Sequence, residues 1–326
     1  MELKKVDIEL LSLLQENSKK SNREIAKELK ISKETVALKI INYFHNNLIK
    51  AYYLKVNYDK LGFKEINLFI RFKKISNIII TEFIKYLEKQ DNTTWIGKSF
   101  GKYDLKVAFI FKDISQVNEF IFEISSKFGK DIEIIDSLYI IEKYKSSANL
   151  FFNDNSNLKY KRVSNKKTTN LKEEINLDNF DKNLLYLLGE NPKMSYVELG
   201  NKLKYTPEGV KFRIKKLETL NIILGNSVVI NGNKLNKIWC LVMIQINPEK
   251  NLEFKTKIKL NPNLTSYVET LGIWNFNLTL FASNISELYE NINKIRSDFS
   301  EDIRNLEFLI FFDFYKFPKI PKCILN

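Results

Sequence analysis

Apolar residues between positions 6 and 45 recur every three or four residues, which is the spacing of amphipathic α-helices. The pattern predicts helices over 6–16 and 21–29, and a third helix that begins after Ser32, a favoured N-cap residue. The stretch that follows, residues 50–63, is rich in aromatic and β-branched residues and indicates an extended segment. This order predicts a helix-turn-helix followed by a β wing.

Residues 64–142 change to the two-residue alternation of strands, interrupted by two helical patterns. The predicted elements are a strand at 64–73, a helix at 78–90, two strands within 93–111, a helix at 114–128 and a strand at 131–142. The order βαββαβ is that of a ferredoxin-like domain, whose sheet carries helices on one face. The other face is apolar and aromatic here, so we expect it to pair with a second sheet, either in the same chain or in a second chain.

The second half of the chain repeats the first. The segment VDIELLSLLQENSKKSNREIAKELKISKETVALKI from Val6 aligns without gaps with FDKNLLYLLGENPKMSYVELGNKLKYTPEGVKFRI from Phe180, at an offset of 174 residues. A second block, SFGKYDLKVAFIF from Ser99, aligns with TLGIWNFNLTLFA from Thr270 at an offset of 171. We therefore predict an α+β fold with two copies of a winged helix-turn-helix domain, each followed by a ferredoxin-like βαββαβ domain.

The repeat predicts five segments. The winged helix-turn-helix domains are expected at 1–60 and 173–234, the βαββαβ domains at 61–142 and 235–326, and a linker at 143–172. The linker is polar, lacks periodicity and is the most basic part of the chain. We expect it to contact phosphates through its basic side chains, which are Lys159, Lys161, Arg162, Lys166 and Lys167.

Composition narrows the function. With 326 residues, of which 44% are hydrophobic, the chain can build real cores, and its net charge of +13 favours a polyanionic partner. No apolar run is long enough to cross a membrane and the amino terminus lacks a secretory pattern, which predicts a cytoplasmic protein. Two cysteines and one histidine, His45, favour neither a disulfide framework nor a metal site, and no cofactor is predicted.

A third helix of this kind enters the major groove of DNA, because the groove is as wide as one α-helix. Its apolar stripe is predicted to be buried, as Val36, Ile40 and Tyr43 in the first copy and Val210, Ile214 and Leu217 in the second. The candidate DNA contacts on the first copy are Lys33, Glu34, Thr35, Leu38, Lys39 and Asn42. Those on the second copy are Glu208, Lys211, Phe212, Arg213, Lys215 and Lys216.

The ordered set of motifs resembles the Lrp/AsnC (feast/famine) family of prokaryotic transcriptional regulators. The resemblance rests on the helical segment given above, on NNLIKAYYLKVNYDKLGF and on FGKYDLKVAF, and it covers nearly the whole chain twice. It implies DNA binding through the third helix, self-association through the βαββαβ sheets and, for many members, an amino acid effector. The family usually has glycine in the turn before the third helix, where this chain has Lys30 and Lys204.

The resemblance also implies where an effector would bind, at the Gly-x-Tyr-Asp turn between two strands of the sheet. The matching residues are Gly101, Tyr103 and Asp104, and in the second copy Gly272, Trp274 and Asn275. Because Asn275 stands where Asp104 does, we expect the second site to lack one negative charge. A turn that only joins two strands is the alternative.

Two other functions stay open from the sequence. Leu38 and Phe212 on the predicted DNA face favour a protein-interaction module of the transcription machinery, whereas the neighbouring lysines of the second copy oppose it. Sirohaem decarboxylases resemble the same family and work as a pair of such units, but they are thought to use histidines near the tetrapyrrole. The one histidine here lies in the helical part, so we expect no enzyme activity.

Overall fold

The computed structural model describes residues 3–145, 175–261, 264–316 and 320–325. The first half contains α1 Lys5–Glu16, α2 Asn22–Leu29, α3 Lys33–His45, β1 Ile49–Val56, β2 Lys64–Phe72, α4 Asn77–Lys89, β3 Thr93–Gly101, β4 Leu105–Phe111, α5 Ile114–Phe128 and β5 Ile132–Lys145. The second half contains α6 Asn179–Glu190, α7 Tyr196–Leu203, α8 Pro207–Thr219, β6 Ile223–Ile230, β7 Ile238–Ile246, α9 Asn251–Ile258, β8 Leu264–Leu271, β9 Phe276–Ala282, α10 Ile285–Asp298 and β10 Ile303–Lys316. The mixed α+β architecture predicted from the sequence is confirmed.

The helical segments of both halves, with β1 and β6, form one compact unit. The two strands pair with each other as an antiparallel two-stranded sheet, which runs from Ile49 opposite Ile230 to Val56 opposite Ile223. The predicted wing is therefore different in the structure, because each half supplies one strand and not a hairpin. Only one strand-length run follows each third helix, and its edge is satisfied by the strand of the other half.

Further hydrogen bonds from backbone and side chains reinforce this pairing across the helical unit. The amide of Ser18 donates to the carbonyl of Asn226 at 3.1 Å, and the hydroxyl of Ser227 donates to the carbonyl of Gln15 at 2.7 Å. At the other end, the side-chain amide of Asn231 donates to the carbonyl of Asn47 at 3.1 Å. The first helix-turn-helix is thus hydrogen-bonded to the strand that follows the second one.

The remaining strands form the second compact unit, a closed barrel with the order β10-β3-β4-β2-β5-β8-β9-β7. Each half contributes a four-stranded antiparallel sheet, and the sheets join where β5 pairs with β8 and where β3 pairs with β10. Of the two associations that the sequence left open, the structure shows the pairing of sheets within one chain. Association between separate chains stays a prediction.

In its described residues, the barrel unit packs around three apolar cores. The helix-covered face of the first sheet packs against α4 and α5, and that of the second sheet packs against α9 and α10. The third core lies between the two sheets and contains side chains from both halves. Its buried members are Phe69, Tyr103, Leu138, Leu241, Met243, Trp274, Leu309 and Phe311. The open face of each sheet is apolar, as predicted, because it covers the other sheet.

Strand β5 extends past its predicted end into the segment that was predicted as a linker. Strand β5 continues to Lys145, and Lys143 and Tyr144 lie opposite Val268 and Tyr267 of β8. Alternation alone could not show this extension, because the pairing partner belongs to the other half of the chain. The basic residues predicted to contact phosphates, Lys159, Lys161, Arg162, Lys166 and Lys167, lie outside the described residues. No helix that the structure describes is long and apolar enough to cross a membrane.

The last described residues pack against α6 of the helical unit, although the predicted domain 235–326 grouped them with the second sheet. Ile320 and Ile324 are both buried. The approach depends on Gly189, because a Cβ atom at this position would lie 2.6 Å from the Cβ of Ile320. The surface of α6 therefore has room for the carboxyl-terminal segment only because position 189 has no side chain.

Substituting Gly189→Ala is expected to lower the free energy of unfolding of the full chain by roughly 1–3 kcal/mol, the usual range for overpacking. In a chain that ends at Lys316 the clash is absent, and alanine should stabilise the helix by up to about 1 kcal/mol. Urea-unfolding midpoints of the four proteins test this reversal of sign. A destabilisation of equal size in both backgrounds would show that Ile320 is not the cause.

Candidate nucleic-acid interface

The two third helices, α3 and α8, begin with the caps that the sequence predicted. The hydroxyl of Ser32 accepts a hydrogen bond from the amide of Thr35 at 3.0 Å, and that of Thr206 accepts one from Gly209 at 3.1 Å. Pro207 follows as the first residue of α8, where its missing N–H leaves no hydrogen bond unmade. Both helices therefore start at a fixed point relative to the preceding turn.

That turn is left-handed in both halves although it contains no glycine. Lys30 and Lys204 have φ angles of 54° and 55°, a conformation that glycine adopts more readily than other residues. The amide of Lys30 donates to the carbonyl of Ala26, and that of Lys204 to the carbonyl of Gly200, which closes each second helix. The lysines thus keep the turn geometry for which the family usually has glycine.

The inward face of each third helix agrees with the predicted apolar stripe. The buried side chains are Val36 and Tyr43 in α3 and Val210, Ile214 and Leu217 in α8, while Ile40 is half-buried. With this face fixed against the first two helices, the opposite face is left to solvent.

Most of the predicted DNA contacts lie on that solvent face. The exposed ones are Lys33, Glu34, Leu38, Asn42, Glu208, Lys211, Phe212, Lys215 and Lys216, and Thr35 is half-buried beside its N-cap. Leu38 and Phe212 are 61% and 69% exposed. Ile41, which was not among the predicted contacts, is 62% exposed on the same face, and its position three residues after Leu38 is the signal that places it there. Contact of these residues with DNA stays a prediction.

Lys39 is placed differently from the other candidates, because it is engaged inside the helical unit. Its Nζ lies 2.7 Å from Oδ1 of Asp7 in α1, and the hydroxyl of Tyr43 donates to the same oxygen at 2.5 Å. Burial opposes ionisation of this carboxyl, but the hydrogen bonds from Lys39 and Tyr43 outweigh it and hold the pKa of Asp7 below its ordinary value. Lys39 therefore ties the third helix to the first.

Arg213 occupies the matching position in α8 and is engaged in the same way. Its Nη1 lies 2.7 Å from Asp178 and 3.1 Å from Asp181, at the start of α6. The hydrogen bond with Asp178 raises the pKa of Arg213, whereas burial raises the pKa of the more deeply placed Asp181. The sequence repeat could have indicated both ion pairs, because Asp7 aligns with Asp181 and Lys39 aligns with Arg213.

Replacing Asp7 with asparagine is expected to destabilise the protein at pH 7 by about 2 kcal/mol, because two hydrogen bonds to a buried carboxylate are weakened. The folded-state pKa of Asp7 is lowered, so its contribution is complete above the unfolded value of about 3.9 and is lost as pH falls through the folded value. Urea unfolding at pH 7 and near pH 3 should therefore show a difference between wild type and D7N that shrinks in acid.

D181N is the matched control, because the folded-state pKa of Asp181 is raised and its ionised form is not favoured by folding. We expect D181N to cost less stability at pH 7 than D7N does. Equal losses in the two variants, or a D7N difference that is independent of pH, would contradict this account of the first ion pair.

The predicted effector residues lie at two turns of the barrel, and the structure brings the two turns together. Tyr103 and Trp274 are both fully buried, and Nε1 of Trp274 donates to the hydroxyl oxygen of Tyr103 at 3.4 Å. The Tyr103 hydroxyl donates in turn to Asp136. Burial, followed by the hydrogen bond to Asp136, raises the pKa of Tyr103, so that the phenol stays protonated and remains a donor.

Gly101 and Gly272 occupy the exposed side of these turns, with φ angles of 137° and 147° that favour glycine. Lys102 lies beside them, with its Nζ 5.3 Å from the ring centre of Tyr103 and 5.1 Å from that of Trp274. The aromatic side chains thus support the turns from inside the barrel. Binding of an effector by these residues stays a prediction.

Asp104 and Asn275 perform the same hydrogen bonding in the two halves. Oδ2 of Asp104 accepts from the amide of Phe72 at 2.8 Å, and Oδ1 of Asn275 accepts from the amide of Ile246 at 2.8 Å. Each residue closes its turn against the end of the strand beside it. An oxygen acceptor is all that this bond requires, which accounts for the exchange of aspartate for asparagine between the halves.

D104N is expected to change the free energy of unfolding by less than about 0.5 kcal/mol, because asparagine keeps the acceptor. D104A should cost about 1–3 kcal/mol, because it leaves the buried amide of Phe72 without a partner. Urea-unfolding midpoints of both variants test this difference. A D104N loss as large as that of D104A would mean that the charge of Asp104 matters to the fold.

No group of three or more histidine, cysteine, aspartate or glutamate side chains in the described ranges is arranged to hold a metal ion. His45 is exposed at the last position of α3, in the helical unit. Cys240 is buried, and burial raises the pKa of its thiol to about 12. The buried thiol of Cys240 therefore stays protonated near neutral pH.

Comparison with known proteins agrees with this arrangement. The model of the AsnC-type helix-turn-helix domain matches residues 3–40 and 177–218. An HTH-type transcriptional regulator of Pyrococcus furiosus is 31% identical over 129 residues, which are 40% of this chain and 86% of that protein. Another, of Methanocaldococcus jannaschii, is 29% identical over 121 residues, which are 37% of this chain and 80% of that protein. LrpC of Bacillus subtilis is 27% identical over 121 residues, which are 37% of this chain and 84% of that protein.

The solved structure of a siroheme decarboxylase is similar over almost the entire chain. The siroheme decarboxylase NirDL superposes with a TM-score of 0.61, at 11% identity, over 97% of this chain and 94% of that one. At this identity the likeness concerns the fold alone. The relatives similar in sequence are regulators, each matched over most of its own length and over less than half of this chain. The chain therefore belongs to the AsnC-type helix-turn-helix family of transcriptional regulators, the Lrp/AsnC family.

Proposed function

We propose that this protein is a sequence-specific DNA-binding transcription regulator in which two fused units act as a pseudo-dimer. The observation that carries the proposal is the antiparallel pairing of β1 with β6, which joins both helix-turn-helix segments in one compact unit. Each segment keeps an exposed third helix on a fixed support. Regulators that use a helix-turn-helix pair commonly obtain the second copy from another chain, whereas here one chain contains both.

The pseudo-dimer has a consequence for the DNA sequence that it would bind. Two identical recognition helices select a palindrome, with half-sites about one helical turn or a multiple of it apart. The helices here differ at several exposed positions, such as Leu38 against Phe212 and Asn42 against Lys216. The operator is therefore expected to contain two unlike half-sites.

A small effector such as an amino acid is part of the same proposal. The ammonium group of Lys102, beside the exposed Gly101 and Gly272, offers a donor to a carboxylate at the turns. Tyr103 and Trp274 would act from beneath, because both side chains are fully buried. A ligand at either turn would therefore act on the hydrogen bond between Tyr103 and Trp274, which joins the two halves.

The alternatives have less support. A protein-interaction module is favoured only by the exposed apolar side chains Leu38, Ile41 and Phe212. A decarboxylase is favoured only by the fold, and the single histidine of the chain lies in the helical unit and outside the barrel. The regulators similar in sequence favour DNA binding over both alternatives.

Affinity for duplex DNA is expected to fall steeply with salt, by about 0.9 logarithmic units per phosphate bound for each tenfold rise in concentration. Fluorescence anisotropy of a labelled duplex, selected from random sequence by the purified protein, measures this slope. A flat dependence, together with a stable protein partner in a pull-down, would overturn DNA binding in favour of an interaction module. A new absorbance band with sirohaem and a decarboxylated product would instead support an enzyme.

A further inference from the structure

The exposed faces of α3 and α8 have the same geometry but different charge. At the offset of 174 residues, Ala37, Ile41 and Asn42 of α3 align with Lys211, Lys215 and Lys216 of α8. All three lysines are exposed, as are Ile41 and Asn42. Three positive charges thus stand on α8 at positions that are neutral on α3.

The lysines of α8 are available to a partner. Lys211 and Lys215 form no ion pair with any residue that the structure describes, and Lys216 is 4.0 Å from Asp181, with a side chain 47% exposed. The basic residues that α3 and α8 share at one position, Lys39 and Arg213, are engaged with the first helices. Two of the three charges that distinguish the faces, those of Lys211 and Lys215, are therefore unpaired, and Lys216 forms a long ion pair at a half-exposed position.

The other lysine of α3 adds little. Lys33, at its first position, lies 3.9 Å from Glu34, so their charges offset one another. The rest of the exposed face is apolar at its centre, with Leu38 and Ile41. Such a face can contact thymine methyl groups, but it cannot neutralise phosphates.

The second helices show the opposite distribution. Arg23 and Lys27 of α2 are exposed, and the aligned residues of α7 are Val197 and Asn201, which are exposed and uncharged. The one lysine within α7, Lys202, is exposed and aligns with Glu28 of α2. Within the described part of the chain, Arg23 and Lys27 form no ion pair. In a helix-turn-helix the second helix crosses the DNA backbone while the third enters the groove. The first helix-turn-helix therefore carries two unpaired basic residues on the helix that crosses the DNA backbone. The second carries one lysine there, Lys202, and most of its basic residues on the groove-facing helix.

We propose that the two helix-turn-helix units contact duplex DNA with different helices. The first unit holds the phosphate backbone through Arg23 and Lys27 of α2, and its α3 meets the groove with an apolar face. The second unit meets its half-site through Lys211, Lys215 and Lys216 of α8, which suit guanine edges and flanking phosphates. This inference rests on the proposed DNA-binding function and specifies how the two units share it.

A reciprocal exchange between the copies tests the proposal, because each change uses the residue found at the aligned position. The α8 variant carries K211A, K215I and K216N, and the α2 variant carries R23V and K27N. The control variant, V197A with N201A, alters two uncharged exposed positions of α7. A rescue variant adds A37K, I41K and N42K to the α8 variant. Salt slopes of duplex binding are measured for all, with the fold checked by circular dichroism.

The α8 variant should reduce the salt slope by up to about 2.7 and the α2 variant by up to about 1.8, at 0.9 for each phosphate that the variant no longer neutralises. The α8 variant should also lose its preference for guanine in one half-site, whereas the α2 variant should weaken binding to all sequences alike. The control should keep the wild-type slope, and the rescue variant should recover part of the slope that the α8 variant lacks.

Two failures are distinguishable. If the wild-type protein shows no salt dependence, the proposed DNA-binding function is wrong. If wild type shows a steep slope that the α8 variant retains, or if the α2 variant changes base preference as the α8 variant does, DNA binding stands and the division of contacts between the helices is overturned.

Discussion

Each sheet in the described structure contains strands from both halves of the chain, and each half pairs with the strand edges that the other half leaves open. A single half would leave β1 without a partner, and β3 and β5 at the two open edges of a four-stranded sheet. Unpaired edges expose backbone donors and acceptors and favour pairing with other chains. The second half supplies β6, β10 and β8 at these places, so that the helical unit and the barrel are both completed within the chain. Duplication thus replaces the partner subunit that a chain with one copy would need.

Inside this frame, the two halves keep the same interactions with different residues. Lys39 and Arg213 each bind an aspartate in the first helix of their own half, Lys39 through an ammonium group and Arg213 through a planar guanidinium. Asp104 and Asn275 both accept a hydrogen bond from the end of the neighbouring strand. Tyr103 and Trp274 differ in shape, yet they share one hydrogen bond in the core between the sheets. In the first two pairs, a different chemical group supplies the same interaction.

The sequence predicted the elements and their order well, because helix periodicity, strand alternation and N-caps such as Ser32 are local signals. It failed where the partner lies in the other half. The extended stretch after α3 looked like a wing because nothing local shows that β1 pairs with β6, and β5 passed its predicted end because its partner is β8. At the interface, helix geometry gave the exposed face of α8 correctly. The internal ion pairs of Lys39 and Arg213 depended on a residue more than 30 positions away in α1 or α6, which periodicity does not reveal.

The contrast between buried and exposed positions explains why the two third helices can differ in function. Substitutions at Asp7, Tyr43 or Lys30 would change the contacts that hold α3 against the rest of its helix-turn-helix. The aligned positions of the second half hold α8 in the same way. Ala37, Ile41 and Asn42 take no part in these ion pairs, and the aligned residues of α8 are three lysines. Since the paired strands hold both units in one chain, neither unit needs enough DNA contacts to bind by itself. A chain of this design can therefore place phosphate anchoring on one unit and groove contacts on the other, which two identical subunits could not do.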